Sequence, residues 1–248
     1  MDDLRMYICA HNTITGNHPH SDGYFIAAQN ENIFDDLSPV IYMNDEFTKK
    51  HNICYGEACQ IKHVMEHEEL IPEYIGFCHY RRFFDDFMED LGKARDIVDK
   101  HGAVYTRTWS SGLMNKVNIS IYHSSIFINP LRLAIKEADK SYLPVYDDFL
   151  EDAQCSYCNM FIMKHNDFLE GAHFVFDVLK RFDSYFGIDG NKQVEDFMNE
   201  QFKKGNWFKG DIKWQRRLEG FISEYLWDLV RRKKFPNAYH SKIRMVGE

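Results

Sequence analysis

The feature that most constrains this chain is an alternation of short apolar runs with longer stretches of helical periodicity. Met6-Tyr7-Ile8-Cys9-Ala10 is apolar throughout and ends in His11-Asn12, the pattern of a buried strand. Val40-Ile41-Tyr42, Tyr74-Ile75-Gly76-Phe77-Cys78, Ala103-Val104-Tyr105 and Asn159-Met160-Phe161-Ile162-Met163 read the same way. Cys54, Ala58, Ile61 and Met65 recur at helical spacing between two of these runs. Asn129-Pro130 predicts a helix start, because Asn caps free amides and Pro has no amide hydrogen to leave unpaired. The longest helix is expected from Asp167, with Glu170 completing a capping box and Phe168, Ala172, Val175, Leu179, Phe182 and Phe186 on one face. A last helix spans about Arg217 to Lys234, with Phe221, Ile222, Tyr225, Leu229 and Val230 as its apolar side.

Such alternation predicts an α/β fold, a mostly parallel central sheet flanked by helices. Ligands then bind beyond the carboxyl ends of the strands. That rule points to His11-Asn12, to His79-Tyr80-Arg81-Arg82 and to the segment after Met163. No internal repeat, low-complexity tract or linker interrupts the pattern. The expectation is a single domain over residues 1–248, closing in a helical and basic segment from about residue 215.

A formal net charge of -8 argues against nucleic acid as the partner, since such proteins carry a basic balance. Aromatic residues make up 15% of the chain, enough to stack on sugar rings or nucleobases as well as to fill a core. The six cysteines fit no secreted disulfide framework, and Cys9 and Cys78 lie inside apolar runs. A reduced, cytoplasmic setting is expected. No apolar stretch is long enough to span a bilayer, so any work at a membrane is done from its surface. Arg231-Arg232-Lys233-Lys234, closing a helix that also carries Trp227, is the segment expected to touch an anionic inner leaflet.

Arg81 and Arg82 follow directly on an apolar strand. Two adjacent guanidiniums suit a diphosphate, because each is a planar fork of donors that stays charged. The competing reading is a pair of surface arginines neutralised by Asp85 and Asp86.

The string Gly76-Phe77-Cys78-His79-Tyr80-Arg81-Arg82-Phe83-Phe84 resembles the hallmark of a family of bacterial capsular and exopolysaccharide glycosyltransferases, long catalogued as a domain of unknown function. The likeness extends upstream to Asn52, Tyr55 and Glu57, and downstream to the strand Asn159 to Met163. It closes on R-x-x-G-F-I-S-E, here Arg217, Gly220, Phe221, Ile222, Ser223 and Glu224. These motifs cover nearly the whole chain in the family's order. The resemblance implies a GT-A-like fold and transfer of a hexose, galactofuranose in some members, from a UDP-sugar to a polysaccharide or lipid-linked oligosaccharide acceptor. It implies donor contacts from His11, Asn12, His79, Tyr80, Arg81 and Arg82, and Glu224 as the general base. Asn159, Asp147 and Asp148 are assigned to the acceptor or sugar pocket, the two aspartates also serving as reserve bases.

The chain departs from the family at Asn12, where Lys is common, and at Tyr225, where Arg usually follows the glutamate. Most GT-A enzymes hold the donor diphosphate through a metal ion on an Asp-x-Asp motif, and that position falls on His79-Tyr80-Arg81. Positive side chains there would replace the ion. No cofactor is assigned, and Asp85-Asp86 remains as a pair for Mg or Mn.

Other constellations point elsewhere. His18-Pro19-His20-Ser21-Asp22 resembles the His-x-His-x-Asp motif of metallo-β-lactamase-like hydrolases, although Gly23 stands where a further histidine is expected. A metal-dependent hydrolase using His18, His20 and Asp22 is thus an alternative, and a non-catalytic sugar- or nucleotide-binding protein is another. His63 and His67 lie one helical turn apart, and Cys155-Ser156-Tyr157-Cys158 is a single Cys-x-x-Cys without a second pair.

Overall fold

A computed structural model of the chain describes residues 3–14, 18–20, 22–205 and 211–246. Strands β1 (Leu4–Ala10), β2 (Tyr24–Ala28) and β3 (Val40–Tyr42) come first, followed by α1 (Glu46–His51) and α2 (Ala58–Glu66). Next are β4 (Tyr74–His79), β5 (Arg82–Phe84), α3 (Lys93–His101), β6 (Ala103–Thr106) and β7 (Trp109–Ser110). Helices α4 (Asn115–Tyr122), α5 (Ile128–Asp139) and α6 (Leu143–Glu151) lead into β8 (Gln154–Cys155) and β9 (Phe161–Lys164). The chain continues through α7 (His165–Phe186), α8 (Asn191–Lys203), α9 (Ile212–Gln215) and α10 (Leu218–Lys234) to β10 (Tyr239–Ser241) and β11 (Ile243–Met245).

The main sheet has the order β10-β6-β9-β4-β1-β2-β3, with β5 and β11 joined to it through β4. The pairs among β1 to β4 are parallel, as is β10 with β6, while β9 runs antiparallel to both β4 and β6. This is the mostly parallel α/β sheet that the alternation predicts. Its two faces follow from the strand period of two. Tyr7, Cys9, Ile75 and Phe77 point into one core with Phe168 of α7 and Trp227 of α10. Met6, Ile8, Ala10 and Cys78 point into the other, with Ala94 and Val98 of α3. Helices therefore cover both faces.

The direction of β9 corrects an expectation. Phe161 lies beside Phe77 and Lys164 beside Tyr74, so the end of β9 sits at the amino ends of β4 and β6. The residues before β9, Tyr157 and Cys158, reach the ligand end of the sheet, and the segment after Met163 does not. Strand β2 has no counterpart in the sequence reading, although Tyr24-Phe25-Ile26-Ala27-Ala28 is an apolar run bounded by Gly23 and Gln29.

Helix boundaries shift for local reasons. Helix α7 starts at His165 without a side-chain cap, and Glu170 bonds Lys234 instead of closing a capping box with Asp167. Asn129 and Pro130 sit inside the first turn of α5, which continues a 3-10 turn capped by Ser124. The helix expected from Cys54 becomes regular only at Ala58.

The basic run on α10 is not a free patch. Arg231 and Arg232 both bond the fully buried Asp228, and Arg232 also reaches Asp152 at 2.8 Å. Lys233 pairs with Asp139, and Lys234 with Asp167 and Glu170. Trp227 is buried, its ring 4.1 Å from that of Phe161. A Cβ on Gly171 would stand 2.8 Å from the Trp227 ring, so glycine is what lets α7 and α10 close over the indole. The expected membrane contact through residues 231–234 loses its basis, because each cation is already matched by a carboxylate of this chain. Among the described residues no helix is long and apolar enough to cross a membrane.

Candidate active site

At the carboxyl ends of β1 and β4 the chain turns sharply. His79 ends β4, Arg82 begins β5, and the two are paired across the turn Tyr80-Arg81. The turn presents Arg81 outward, its guanidinium 4.9 Å from the centre of the Tyr80 ring. His11, at the end of β1, packs edge-on against Tyr80 at 4.7 Å. Burial holds the His11 imidazole below its ordinary pKa. Asn12 is exposed beside it.

His79 is buried, and both of its ring nitrogens are engaged. Nδ1 accepts the Arg81 backbone N–H at 3.2 Å, which leaves the proton on Nε2 to donate to Glu57 Oε1 at 2.8 Å. The other carboxylate oxygen of Glu57 accepts from Arg217 at 3.3 Å. Burial alone would raise the Glu57 pKa, but the hydrogen bond from His79, with the charge of Arg217, holds it at about 2. Glu57 is therefore a permanently ionised hub, and His79 sets the Tyr80-Arg81 turn without offering a nitrogen to a ligand.

A cavity of about 380 Å³ opens against this hub. Glu57, His79, Arg82, Arg217 and Glu224 form its charged wall. Aromatic rings from α4, the segment before β9, α9 and α10 form the rest. Cys158 and Asn159 have φ of 82° and 50°, the left-handed region that non-glycine residues seldom occupy. That turn aims the Cys158 amide at the Glu224 carboxylate. Burial pushes the Glu224 pKa up to about 7; the Cys158 amide opposes the shift and the negative charge of Glu57 adds to it. One cavity thus holds a carboxylate that stays ionised and a second that titrates near neutrality, a separation typical of catalytic pairs.

The model of a family described as a domain of unknown function, DUF4422, matches residues 5–204. The chain belongs to that family. No curated protein sequence matches it. Among solved structures, this DUF4422 chain is similar to an apo structure of the bifunctional glycosyltransferase WbbM, with a TM-score of 0.71 over 99% of the chain at 13% identity. It spans 46% of that structure's chain, so it corresponds to less than half of the WbbM protein. At that identity the likeness is one of fold.

Around the DUF4422 cavity, the segments quoted in the sequence meet in space. Glu57, the Tyr80-Arg81 turn, Arg217 and Glu224 come together from four stretches far apart in the chain. Asn52 and Tyr55 serve as scaffold. Asn191 bonds Asn52 and accepts the amides of Ile53 and Cys54, while the Tyr55 hydroxyl donates to Asp183 at 2.6 Å. Gly220 donates to the Cys54 carbonyl at 2.9 Å, and a Cβ there would meet the Tyr55 carbonyl at 3.1 Å. Asn159 is buried and accepts from Ser223 at 2.9 Å, tying the turn before β9 to α10 rather than facing the cavity. Asp147 and Asp148 lie exposed on α6, outside the cavity, and Asp147 is bound by Arg132 at 2.8 Å.

Asp85 pairs with Arg244 and Asp86 with the Tyr239 hydroxyl. Among the described residues no carboxylate pairs with Arg81 or Arg82, so the reading of a self-neutralised surface cluster fails at this turn. The same geometry fits a divalent cation poorly. Both oxygens of Glu57 are engaged, and an ion at the turn would stand among guanidiniums.

The hydrolase motif does not converge on a metal cradle. His18 bonds Asp35 at 3.2 Å and His20 contacts the His18 carbonyl, while Ser21 lies outside the described residues. Among the described residues no three His, Cys, Asp or Glu side chains are placed to share an ion. His63 pairs with Asp45 and stacks on His67, and Cys155 is buried.

Site assignment from sequence missed Glu57, Arg217 and the aromatic wall. Glu57 and Arg217 stood inside the quoted motifs. Nothing local signals that they bond each other across 160 positions.

A further buried carboxyl pair, Asp183 and Glu219, lies next to the Tyr55 hydroxyl. Asp183 and Glu219 are both buried, and burial pushes both carboxyls up, Asp183 to about 7. A carboxyl raised in the folded state favours folding at low pH, and that contribution is lost as pH rises through its folded value. Asp183→Asn should therefore raise the melting temperature relative to native protein at pH 8, and raise it less at pH 5, measured by calorimetric melts. A lower melting temperature at pH 8 would mean that Asp183 is held there as a stabilising anion.

Proposed function

We propose that this chain is a glycosyltransferase acting on a UDP-hexose donor and a saccharide acceptor. The observation that carries the reading is the Arg81-Arg82 turn at the carboxyl end of the sheet, free of ion pairs among the described residues, beside a cavity that also holds Glu224. Arg81, Arg82 and Arg217 against the single ionised Glu57 leave a surplus of two positive charges when Glu224 is protonated. A diphosphate brings matching negative charge, and guanidiniums bind it with paired, charge-assisted hydrogen bonds. His11, Asn12 and Tyr80 flank the turn on the β1 side and complete the donor surface.

In the reaction, Glu224 takes the proton of an acceptor hydroxyl as its oxygen attacks the anomeric carbon. The bond from that carbon to the diphosphate breaks, and UDP leaves with its electron pair into the arginine surface. Among the described residues that line the cavity, Glu57 has both oxygens bonded and Glu224 is the other carboxylate, and one available carboxylate suits a single displacement with inversion. Polysaccharide or lipid-linked oligosaccharide acceptors, reached from the cytoplasm, follow from the motif resemblance.

Calorimetric titration with UDP tests the donor site. Arg81→Ala and Arg82→Ala should each weaken UDP binding about ten- to a hundredfold, the effect of one lost charge-assisted contact. Because neither guanidinium forms an ion pair among the described residues, the melting temperature should hardly move. Unchanged UDP affinity in both variants would remove this turn from the donor site. UDP binding without any transfer or donor hydrolysis would favour a non-catalytic nucleotide-binding protein.

A further inference from the structure

The half of the cavity away from the Tyr80-Arg81 turn is built from rings, with Arg217, held by Glu57, 5.5 Å from the centre of the Phe221 ring. Trp214 lies parallel to His123, with 2° between the planes and 5.1 Å between centres, and Phe221 packs against it at 4.5 Å. Asp211 caps the short α9 that carries Trp214. Trp109 stands at the rim on β7, which with β8 forms a separate two-stranded ribbon. It is 55% exposed, an uncommon state for an indole, and is steadied edge-on by Tyr157 at 5.8 Å. The ribbon and Tyr157 hold a large apolar plane open to the cavity instead of burying it.

This wall carries no charge at neutral pH. Burial lowers the His123 pKa to about 4 and raises those of Tyr157 and Tyr225. Asn118 lines the same cavity with its amide already bonded to Ser111 and to the Leu113 carbonyl, and the tyrosine hydroxyls and indole N–H groups of the wall are its neutral hydrogen-bonding groups. Flat apolar rings with a few neutral hydrogen-bonding groups suit the C–H face and hydroxyls of a sugar. With the donor bound, the guanidiniums are matched by the diphosphate and by Glu57. A sugar carboxylate entering here would lose its hydration with no unmatched cation to replace it, since Arg217 is paired with Glu57.

We infer that the Trp109–Trp214 wall is the acceptor subsite, and that it selects a neutral sugar unit, with Trp109 as its stacking platform. The inference deepens the glycosyltransferase reading and rests on it for the word acceptor, but its binding test stands apart. The probes are methyl β-galactopyranoside, methyl β-glucopyranoside and methyl β-glucuronide, titrated by ligand-observed NMR against UDP-saturated native protein, Trp109→Ala and Trp109→Phe. UDP affinity is measured on the same samples.

The neutral glycosides should bind, and the glucuronide should not compete with them. Trp109→Ala should weaken the neutral glycosides about tenfold, the worth of one aromatic platform. Trp109→Phe should restore most of the loss, and UDP affinity should stay constant across the three proteins. Because Trp109 is exposed, the alanine variant is expected to fold, and its melting temperature is the control. If UDP binds but the neutral glycosides do not, or bind equally well without the indole, the subsite is wrong. Glucuronide binding as tight as that of the neutral sugars would overturn the selectivity. If UDP fails to bind while the glycosides bind through Trp109, the donor reading falls and the saccharide subsite stands.

Discussion

Glu224→Gln should lower sugar transfer by about a hundredfold or more while UDP affinity barely changes, because the substitution keeps size and hydrogen bonding but removes the base. The pH profile gives a second signature. With its carboxyl raised to about 7, native Glu224 is largely protonated at pH 6, so initial rates should climb between pH 6 and 8 and level off above. The residual rate of the glutamine variant should lack that limb. Stability separates chemistry from architecture. A carboxyl whose folded pKa is raised contributes stability below its ordinary range, and that contribution disappears as pH rises through about 7. Glu224→Gln should therefore be at least as stable as native protein at pH 8. Near-normal turnover, or a variant that melts early at pH 8, would make Glu224 a structural residue.

Glu57→Ala should cost about 3–5 kcal/mol of stability, the penalty for leaving one side of a buried ion pair uncompensated. The alanine strips the buried His79 Nε2–H of its acceptor and frees Arg217 in the same step. Denaturant titration at pH 7 reads the loss. The same hub predicts acid sensitivity in the native protein. Glu57 titrates at about 2 when folded and near 4.5 in its ordinary state, a displacement worth about 3 kcal/mol. A lowered carboxyl stabilises above its ordinary value, so this share is lost as pH falls from about 4.5 to about 2. Glu57→Gln, which can still accept from His79, should fall between native and alanine. An alanine variant as stable as native protein would show that the hub holds nothing together.

The two experiments probe different layers of one site. Glu224 contacts the reacting hydroxyl in the proposed mechanism, whereas Glu57 acts through His79 and Arg217. Loss of Glu57 should also weaken UDP binding, since His79 fixes the Arg81 amide and with it the direction of the turn. Loss of Glu224 should not.

Much of the fold was written locally. Unbroken apolar runs at Met6 to Ala10 and Tyr74 to Cys78 mark central strands buried on both faces, and the apolar face from Phe168 to Phe182 marks α7. Those patterns depend on near neighbours, so hydrophobic periodicity alone reveals them. The polar break after each strand likewise exposed His11 and the Tyr80-Arg81 turn. Strand direction is another matter. Nothing within Phe161 to Lys164 says that it pairs antiparallel with both β4 and β6, yet that choice brings Tyr157 and Cys158, and not the segment after Met163, to the site.

Side-chain fate was less legible still. Arg231 to Lys234 and Arg81-Arg82 are both runs of positive charge in the sequence. Only the folded chain shows that carboxylates from α5, α7 and α10 itself, with Asp152 just after α6, match the first run, while the second keeps its guanidiniums free of ion pairs among the described residues. His79 has the sequence context of a ligand contact, and the structure commits both of its nitrogens to the protein. Sequence by itself determined the apolar strands and the apolar face of α7, because those follow from local pattern. Tertiary structure decided which charges remained available, because a charge is neutralised by whatever partner packing brings within a few ångströms, at any distance along the chain.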